Sequence, residues 1–374
     1  MVKVKIAIID ADLIGRAKHR FPNLVSEKIS SYHKSNGDSV ILKLDYNNLD
    51  DFDHVYISKV FTDTPIPDWL NQEEVSTNIH RGGTGFYFDK APDLPFELEH
   101  IMPDYNLYNE WISEQINNGV SANQFKMYTD YSIGFMTRGC FRKCKFCVNQ
   151  KYDRAFLHSS LEEFYNPERK RICLLDDNIL GFSGWKEIFN TLISTNKPFV
   201  FKQGLDERLL TDEKCELLFN AKYDGNYIFA FDNVKDYELI ESKLQLIRKY
   251  SQSTHIVFYV LVGFESTDID DIVNMWKRIA LLIKYKCRPY IMRYQSSTEA
   301  PWKLSKYKPV YTAVARWCNQ AAMFNKKSFR EYCESCQSII KTDKLGADMR
   351  ALKLIEDEYP EIARLYFDLK FENA

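Results

Sequence analysis

Three cysteines, Cys140, Cys144 and Cys147, stand at intervals of four and three in the run Arg138-Gly139-Cys140-Phe141-Arg142-Lys143-Cys144-Lys145-Phe146-Cys147. Thiolates are the usual ligands of iron-sulfur clusters, and three of them on one loop can hold three irons of a [4Fe-4S] cubane while the fourth iron lacks a protein ligand. An open metal position is the arrangement of catalytic sites. The competing reading is a zinc knuckle or three buried cysteines, but structural zinc takes four ligands and no nearby histidine completes a short-range set.

Such a loop needs a rigid strand beneath it. YSIGFMTR ends just before the cysteines, and RICLL, FVFKQ, YIFAFD, HIVFYVLV and RPYIMRY follow, most of them leading through a loop into a helical segment. Six β/α units suit an incomplete TIM-type barrel, a (β/α)6 arrangement over residues 131–300, with reactive residues at the C-terminal ends of the strands. Ile272, Trp276, Ile279 and Ile283 mark one face of the clearest helix. Upstream, KVKIAIID, SVILKL and HVYIS form the pattern of a parallel sheet. Val25, Ile29 and Tyr32 recur at helical spacing before Gly37, so a helix joins the first two strands. Residues 1–85 are thus expected as a Rossmann-like α/β domain, 86–130 as a Pro- and aromatic-rich connecting segment, and 301–374 as a helical region.

Composition bounds the rest. With 45% apolar, 14% aromatic and 27% charged residues among 374, the chain has a globular balance rather than a disordered one. Its 50 basic and 52 acidic residues give a formal charge of -2, so no global field recruits nucleic acid or an anionic membrane. The opening MVKVKIAIIDADLIG is too short and polar for a secretory signal, and no run approaches the ~18 apolar residues of a membrane span. Nine cysteines, unevenly clustered, fit a reducing compartment, and the expected location is the cytoplasm.

Cys140-x3-Cys144-x2-Cys147, with aromatic Phe146 before the last cysteine, resembles the radical S-adenosylmethionine (SAM) superfamily, and the resemblance covers most of the chain. It implies a [4Fe-4S] cluster whose open iron is chelated by SAM, reductive cleavage to a 5'-deoxyadenosyl radical, an electron donor such as flavodoxin or ferredoxin, and an unidentified substrate. Phe146 would lie against the adenine. Asp176 and Asp177, after the second barrel strand, would receive the methionine ammonium, although Asp-rich strand ends serve equally as helix caps or Asx turns. Gln203 and Arg208 follow the third strand, Arg208 suiting either a carboxylate of the cofactor or a surface ion pair. Asp232 and Asn233 suit ribose hydroxyls. Gly263 lies in Tyr259-Val260-Leu261-Val262-Gly263-Phe264-Glu265-Ser266, which is similar to the superfamily's adenine-contacting run but departs from it at both ends.

The N-terminal region, with Asp10-x-Asp12-x-x-Gly15 and Arg81-Gly82-Gly83-Thr84-Gly85, is similar to the cobalamin-binding domains fused to some radical enzymes. Asp12 stands where those domains often place an axial histidine, and carboxylate is a poor substitute for imidazole on cobalt. His19 lies close in sequence, though a lone histidine is more often structural. A degenerate domain that binds substrate or a partner is preferred to cobalamin, and a cobalamin-dependent radical methyltransferase stands as the alternative. The segment RGGTGFYFDKAPDLPFELEHIMPDYNLY and the RWC run near Arg316 resemble an uncharacterised group of radical enzymes with this domain order.

Cys318, Cys333 and Cys336 could hold an auxiliary metal with Cys287 as a further candidate, but cysteines at i and i+3 of a helix are also simple neighbours, and the latter reading is preferred. Cys173 and Cys215 read as core. Lys303, Lys306, Lys308, Arg316, Lys326, Lys327 and Arg330, interleaved with Trp302, Tyr307 and Trp317, offer a patch for a nucleic-acid modifying enzyme, against which stands a solvated helical face.

Overall fold

The computed structural model describes residues 3–296, 298–340 and 344–372. It is a mixed α/β protein with parallel sheets, divided into two compact units: residues 1–177 with 190–199, and 178–189 with 200–374. Among the described residues no helix is long and apolar enough to cross a membrane.

In the first unit, β1 (Lys5–Asp10), β2 (Ser39–Leu42), β3 (His54–Ser58) and β4 (Ile79–Gly82) form a parallel sheet in the order β2-β1-β3-β4. Ile6 pairs with Val40 on one side and His54 on the other, so β1 is central, and its Ile6, Ala7, Ile8 and Ile9 are fully buried. Burial on both faces explains the continuous apolar run in place of alternation. The crossover helix α1 (Leu24–Ser35) begins where the Asn23 side chain accepts the Ser26 N–H and ends before Gly37, whose φ of +84° reverses the chain at no steric cost. Ile6, Ile8 and Ile29 pack against Tyr108, Trp111, Phe125 and Tyr128, so the 86–130 stretch supplies a large share of this core. Tyr105, Tyr108, Trp111, Phe125 and Tyr128 of this stretch are buried because they close the sheet, whereas Tyr87, Phe88 and Phe96 are exposed.

Farther along in this unit, β5 (Tyr131–Gly134) pairs in parallel with β6 (Arg171–Leu174), Ile133 opposite Cys173. Gly134 is required here, since a Cβ on it would lie 2.3 Å from the Phe164 ring. A short hairpin, with Arg138 opposite Phe156, closes the base of the cysteine loop.

The second unit carries a parallel sheet of β7 (Tyr227–Ala230), β8 (Ile256–Val262) and β9 (Arg288–Arg293) with β8 in the centre. Helix α2 (Asp212–Asn220) precedes β7, α3 (Tyr237–Tyr250) connects β7 to β8, and α4 (Ile269–Lys284) connects β8 to β9. In α4, Ile272, Trp276, Ile279 and Ile283 are buried, as the spacing requires. Beyond β9 the structure is helical: α5 (Lys308–Cys318), α6 (Phe329–Gln337), α7 (Ala347–Glu358) and α8 (Pro360–Tyr366), joined by shorter turns. Trp276, Trp317, Phe324, Phe329 and Phe367 form one aromatic core around them.

Candidate metal and cofactor site

The cysteine loop is folded on itself before any ligand is considered. Gly139 leaves the hairpin with φ of +84°, and a Cβ there would lie 2.3 Å from the Arg154 carbonyl oxygen, so only glycine fits at the entrance. The Cys147 N–H donates to the Cys144 carbonyl at 2.9 Å, and the Gln150 amide donates to the carbonyls of Cys144 and Cys147 at 2.7 and 2.9 Å. Lys143 Nζ donates to the carbonyls of Gln150 and Tyr152. Two of the sulfurs already accept backbone hydrogen bonds, Cys140 Sγ from Arg142 N at 3.3 Å and Cys147 Sγ from Asn149 N at 3.4 Å. All three cysteines are partly exposed, and Phe146 lies on the same loop, half-buried.

Asp176 and Asp177, immediately past β6, brace this loop from below. Asp176 is buried and accepts from Thr137 N at 2.5 Å, Thr137 Oγ1 at 2.7 Å and Met136 N at 3.3 Å. Burial drives its carboxyl up to about 6 against the lowering effect of the Thr137 hydrogen bonds. Asp177 accepts from Gly139 N at 2.6 Å and Asn149 Nδ2 at 2.5 Å. Their observed partners are the cysteine loop and the strand leading into it.

A second bracing group was not legible in the sequence. Glu99 Oε1 accepts from Lys28 Nζ at 2.9 Å and His158 Nε2 at 3.0 Å, with Arg138 Nη2 at 3.5 Å. Lys28 comes from α1, while Arg138 and His158 flank the loop. Burial would raise the Glu99 carboxyl, but the His158 hydrogen bond and the Lys28 charge outweigh it and hold it down at about 2. Sequence separations of 39 to 71 residues hid the group.

In the second unit, Arg208 Nε donates to Asp206 at 2.6 Å and its Nη1 lies 3.6 Å from Asp236. Asp232 accepts the Leu261 N–H at 3.3 Å, and burial raises its carboxyl to about 6 despite the nearby Arg278. Asn233 caps the following turn through Lys235 N, the Asx arrangement weighed from sequence. Gln203 is exposed just beyond the strand Phe199–Phe201. Gly263 has φ of +68° and a Cβ there would meet Trp302 at 2.7 Å, while its N–H donates to Asp271. Arg278, almost wholly buried, donates from Nη1 to the carbonyls of Phe231, Asp232 and Leu261 and ties two strand ends together. Glu207 is buried and accepts the Ala230 N–H, with burial pushing its carboxyl up to about 8.

Of the residues weighed for cobalamin, Asp12, Gly83 and Gly85 are engaged inside the fold, while Gly82 has open space where a Cβ would stand. Asp12 is buried and accepts from Val60 N at 2.6 Å, Phe61 N at 3.4 Å and Thr64 Oγ1. Gly83 and Gly85 are small because the Lys59 backbone and side chain press on them, with 2.2 Å from a Cβ on Gly83 to the Lys59 carbonyl oxygen. His19 stands edge-on to Phe61. The candidate nucleic-acid patch loses its stacking groups, since Trp302, Tyr307 and Trp317 are buried, and Lys306, Arg316 and Arg330 pair with Glu358, Asp348 and Glu356. Cys318 and Cys333 are buried, and burial raises both thiols away from the thiolate a metal needs. Cys336 lies on α6 one turn beyond Cys333. Cys173 and Cys215 are core.

Among the described residues, no group of three or more His, Cys, Asp or Glu side chains could hold a metal ion in the arrangement present. Thiolates that each bind a different iron of a cubane need not converge on one point as the ligands of a single ion do. Thiolate sulfur is the donor type that iron-sulfur clusters take, and two of these three sulfurs accept backbone N–H groups. No protein-family model matches the chain, and no curated protein matches it.

Proposed function

We propose that the chain is a radical SAM enzyme, with Cys140, Cys144 and Cys147 ligating a [4Fe-4S] cluster. The observation that carries the reading is the cysteine loop: three thiols at this spacing, two sulfurs already accepting backbone N–H groups, and a glycine entrance braced by Asp177. When bound, the cluster with SAM supplies one electron and a carbon radical able to abstract hydrogen from a substrate. The chain's own part is to hold that chemistry in place. N–H donors from Arg142 and Asn149 stabilise negative sulfur, which tunes a cluster toward easier reduction. Asp176 and Asp177 act as positioning residues for the loop, a role their contacts support more directly than binding of the methionine ammonium. Phe146 is the proposed partner of the adenine, and Gln203, Arg208, Asp232, Asn233 and Gly263 are the candidates for the rest of SAM.

The finer architecture proposed is a Rossmann-like N-terminal sheet, an incomplete (β/α)6 TIM-type barrel and a helical C-terminal region. Cytoplasmic location, an electron donor such as flavodoxin or ferredoxin and an unidentified substrate complete the proposal. Anaerobic reconstitution is expected to give about four irons per chain. Cys140→Ala, Cys144→Ala and Cys147→Ala should each lose the cluster and the reductive cleavage of SAM. Full iron content and cleavage in those variants would overturn the assignment.

A further inference from the structure

On the face of the N-terminal sheet shared with α1, β3 and the edge strand β4 set two histidines against each other. His54 Nδ1 and His80 Nε2 lie 3.1 Å apart, with ring centroids separated by 5.2 Å. Pairing of Tyr56 with His80 makes His54 and His80 diagonal neighbours on one face. Both reach solvent, His54 partly and His80 openly.

From the geometry of this pair we infer that His54 and His80 form a two-imidazole site for a late divalent transition metal such as Ni2+, Cu2+ or Zn2+. Imidazole nitrogens bind these ions at about 2.0–2.1 Å. Two such bonds spanning 3.1 Å subtend about 98° at the metal, between the square and tetrahedral angles. The nitrogens therefore already stand at the separation of a chelating bite, and the proton between them must pass through solvent to the far nitrogen of the ring that carries it, so that both ligate as neutral imidazoles.

The rings are held in that attitude by their surroundings. His80 stacks on Tyr56 at 4.9 Å and 24°, the Tyr56 hydroxyl meets His33 Nε2 at 3.1 Å, and His33 Nδ1 is fixed by Asp38 at 2.8 Å. His33 has both nitrogens engaged in this chain and serves as a support. Orientation of a ligand ring by such outer contacts is what raises metal affinity. Among the described residues no third protein ligand joins the pair, so water completes the coordination sphere. A bound ion would pin β4 to β3 and with it the Arg81–Gly83 turn.

The test is site-resolved, so that metal held by the cysteine loop does not enter the reading. The full-length chain is titrated with Ni2+ and modified with diethyl pyrocarbonate, and each histidine is followed by peptide mass spectrometry. Ni2+ is expected to protect His54 and His80 together while exposed His255 stays reactive. In His54→Ala the Ni2+ concentration that protects His80 should rise at least tenfold, and His80→Ala should do the same to His54. Absence of protection of either histidine in the unaltered protein would overturn the inference. So would protection of one at an unchanged concentration after its partner is removed.

Discussion

Glu99 accepts from Lys28 of α1 and from Arg138 and His158 on the two sides of the cysteine loop, so Glu99→Gln perturbs the loop without touching a cysteine. Its carboxyl sits at about 2 in the folded chain against an ordinary 4.5. At about 1.4 kcal/mol per unit, that difference is about 3 kcal/mol of stabilisation at neutral pH. The side chain is only 16% exposed, so little of this is lost to solvent screening. Because a lowered carboxylate contributes above its unfolded value and loses its contribution as pH falls through the folded one, the benefit is complete above pH 4.5 and gone near pH 2. A chain of two units need not unfold in one step, so a local probe is preferable. Hydrogen exchange at pH 7 in peptides covering 24–35, 96–100 and 136–158 should quicken roughly a hundredfold in Glu99→Gln. Lys28→Met combined with Glu99→Leu should recover most of the protection, since the buried ammonium then no longer lacks its partner. Exchange within twofold of the unaltered protein, or a double variant as unprotected as the two single losses added, would refute the reasoning.

Gly139→Ala forces a Cβ against the Arg154 carbonyl at a positive φ and is expected to abolish iron incorporation on reconstitution while circular dichroism stays unchanged. Glu207 is raised to about 8, so its ionisation opposes folding as pH rises from 4.5 towards 8; Glu207→Gln keeps an acceptor for the Ala230 N–H and should flatten that decline, by a few kcal/mol at pH 8 in thermal unfolding. Asp12→Ala leaves the Val60 N–H and the Thr64 hydroxyl without their acceptor and should cost about 2–4 kcal/mol in the N-terminal unit, read by exchange in β1 and β3.

What could be read from the sequence was whatever local periodicity encodes. The β1 run, the α1 helix ending at Gly37 and the Ile272/Trp276/Ile279/Ile283 face of α4 are each set by neighbours within a few residues. The cysteine spacing is equally local. Contacts between distant segments were not legible: Asp12 reaches a loop 48 to 52 residues away, and Glu99 gathers partners from three segments. Residue type alone placed Asp12 where an axial histidine often stands and said nothing of its partners, whereas its burial and three donors make it a structural acceptor. For the lysine and aromatic patch a signal was present. Tyr307, Val310, Val314 and Trp317 recur at helical spacing, which marks the aromatics as the buried stripe of α5 and its cap rather than as a stacking platform.

The buried Arg278 has a consequence for how the second unit responds to acid. A guanidinium keeps its proton throughout the range in which proteins work, unlike a lysine or histidine in the same place. Its bonds to the carbonyls of Phe231, Asp232 and Leu261 are therefore indifferent to pH. The carboxyls of Asp232 and Glu207 nearby are raised to about 6 and about 8, within that same range. Proton traffic at these strand ends accordingly changes their field and leaves their shape fixed, so a ligand there would meet a constant outline carrying an adjustable charge.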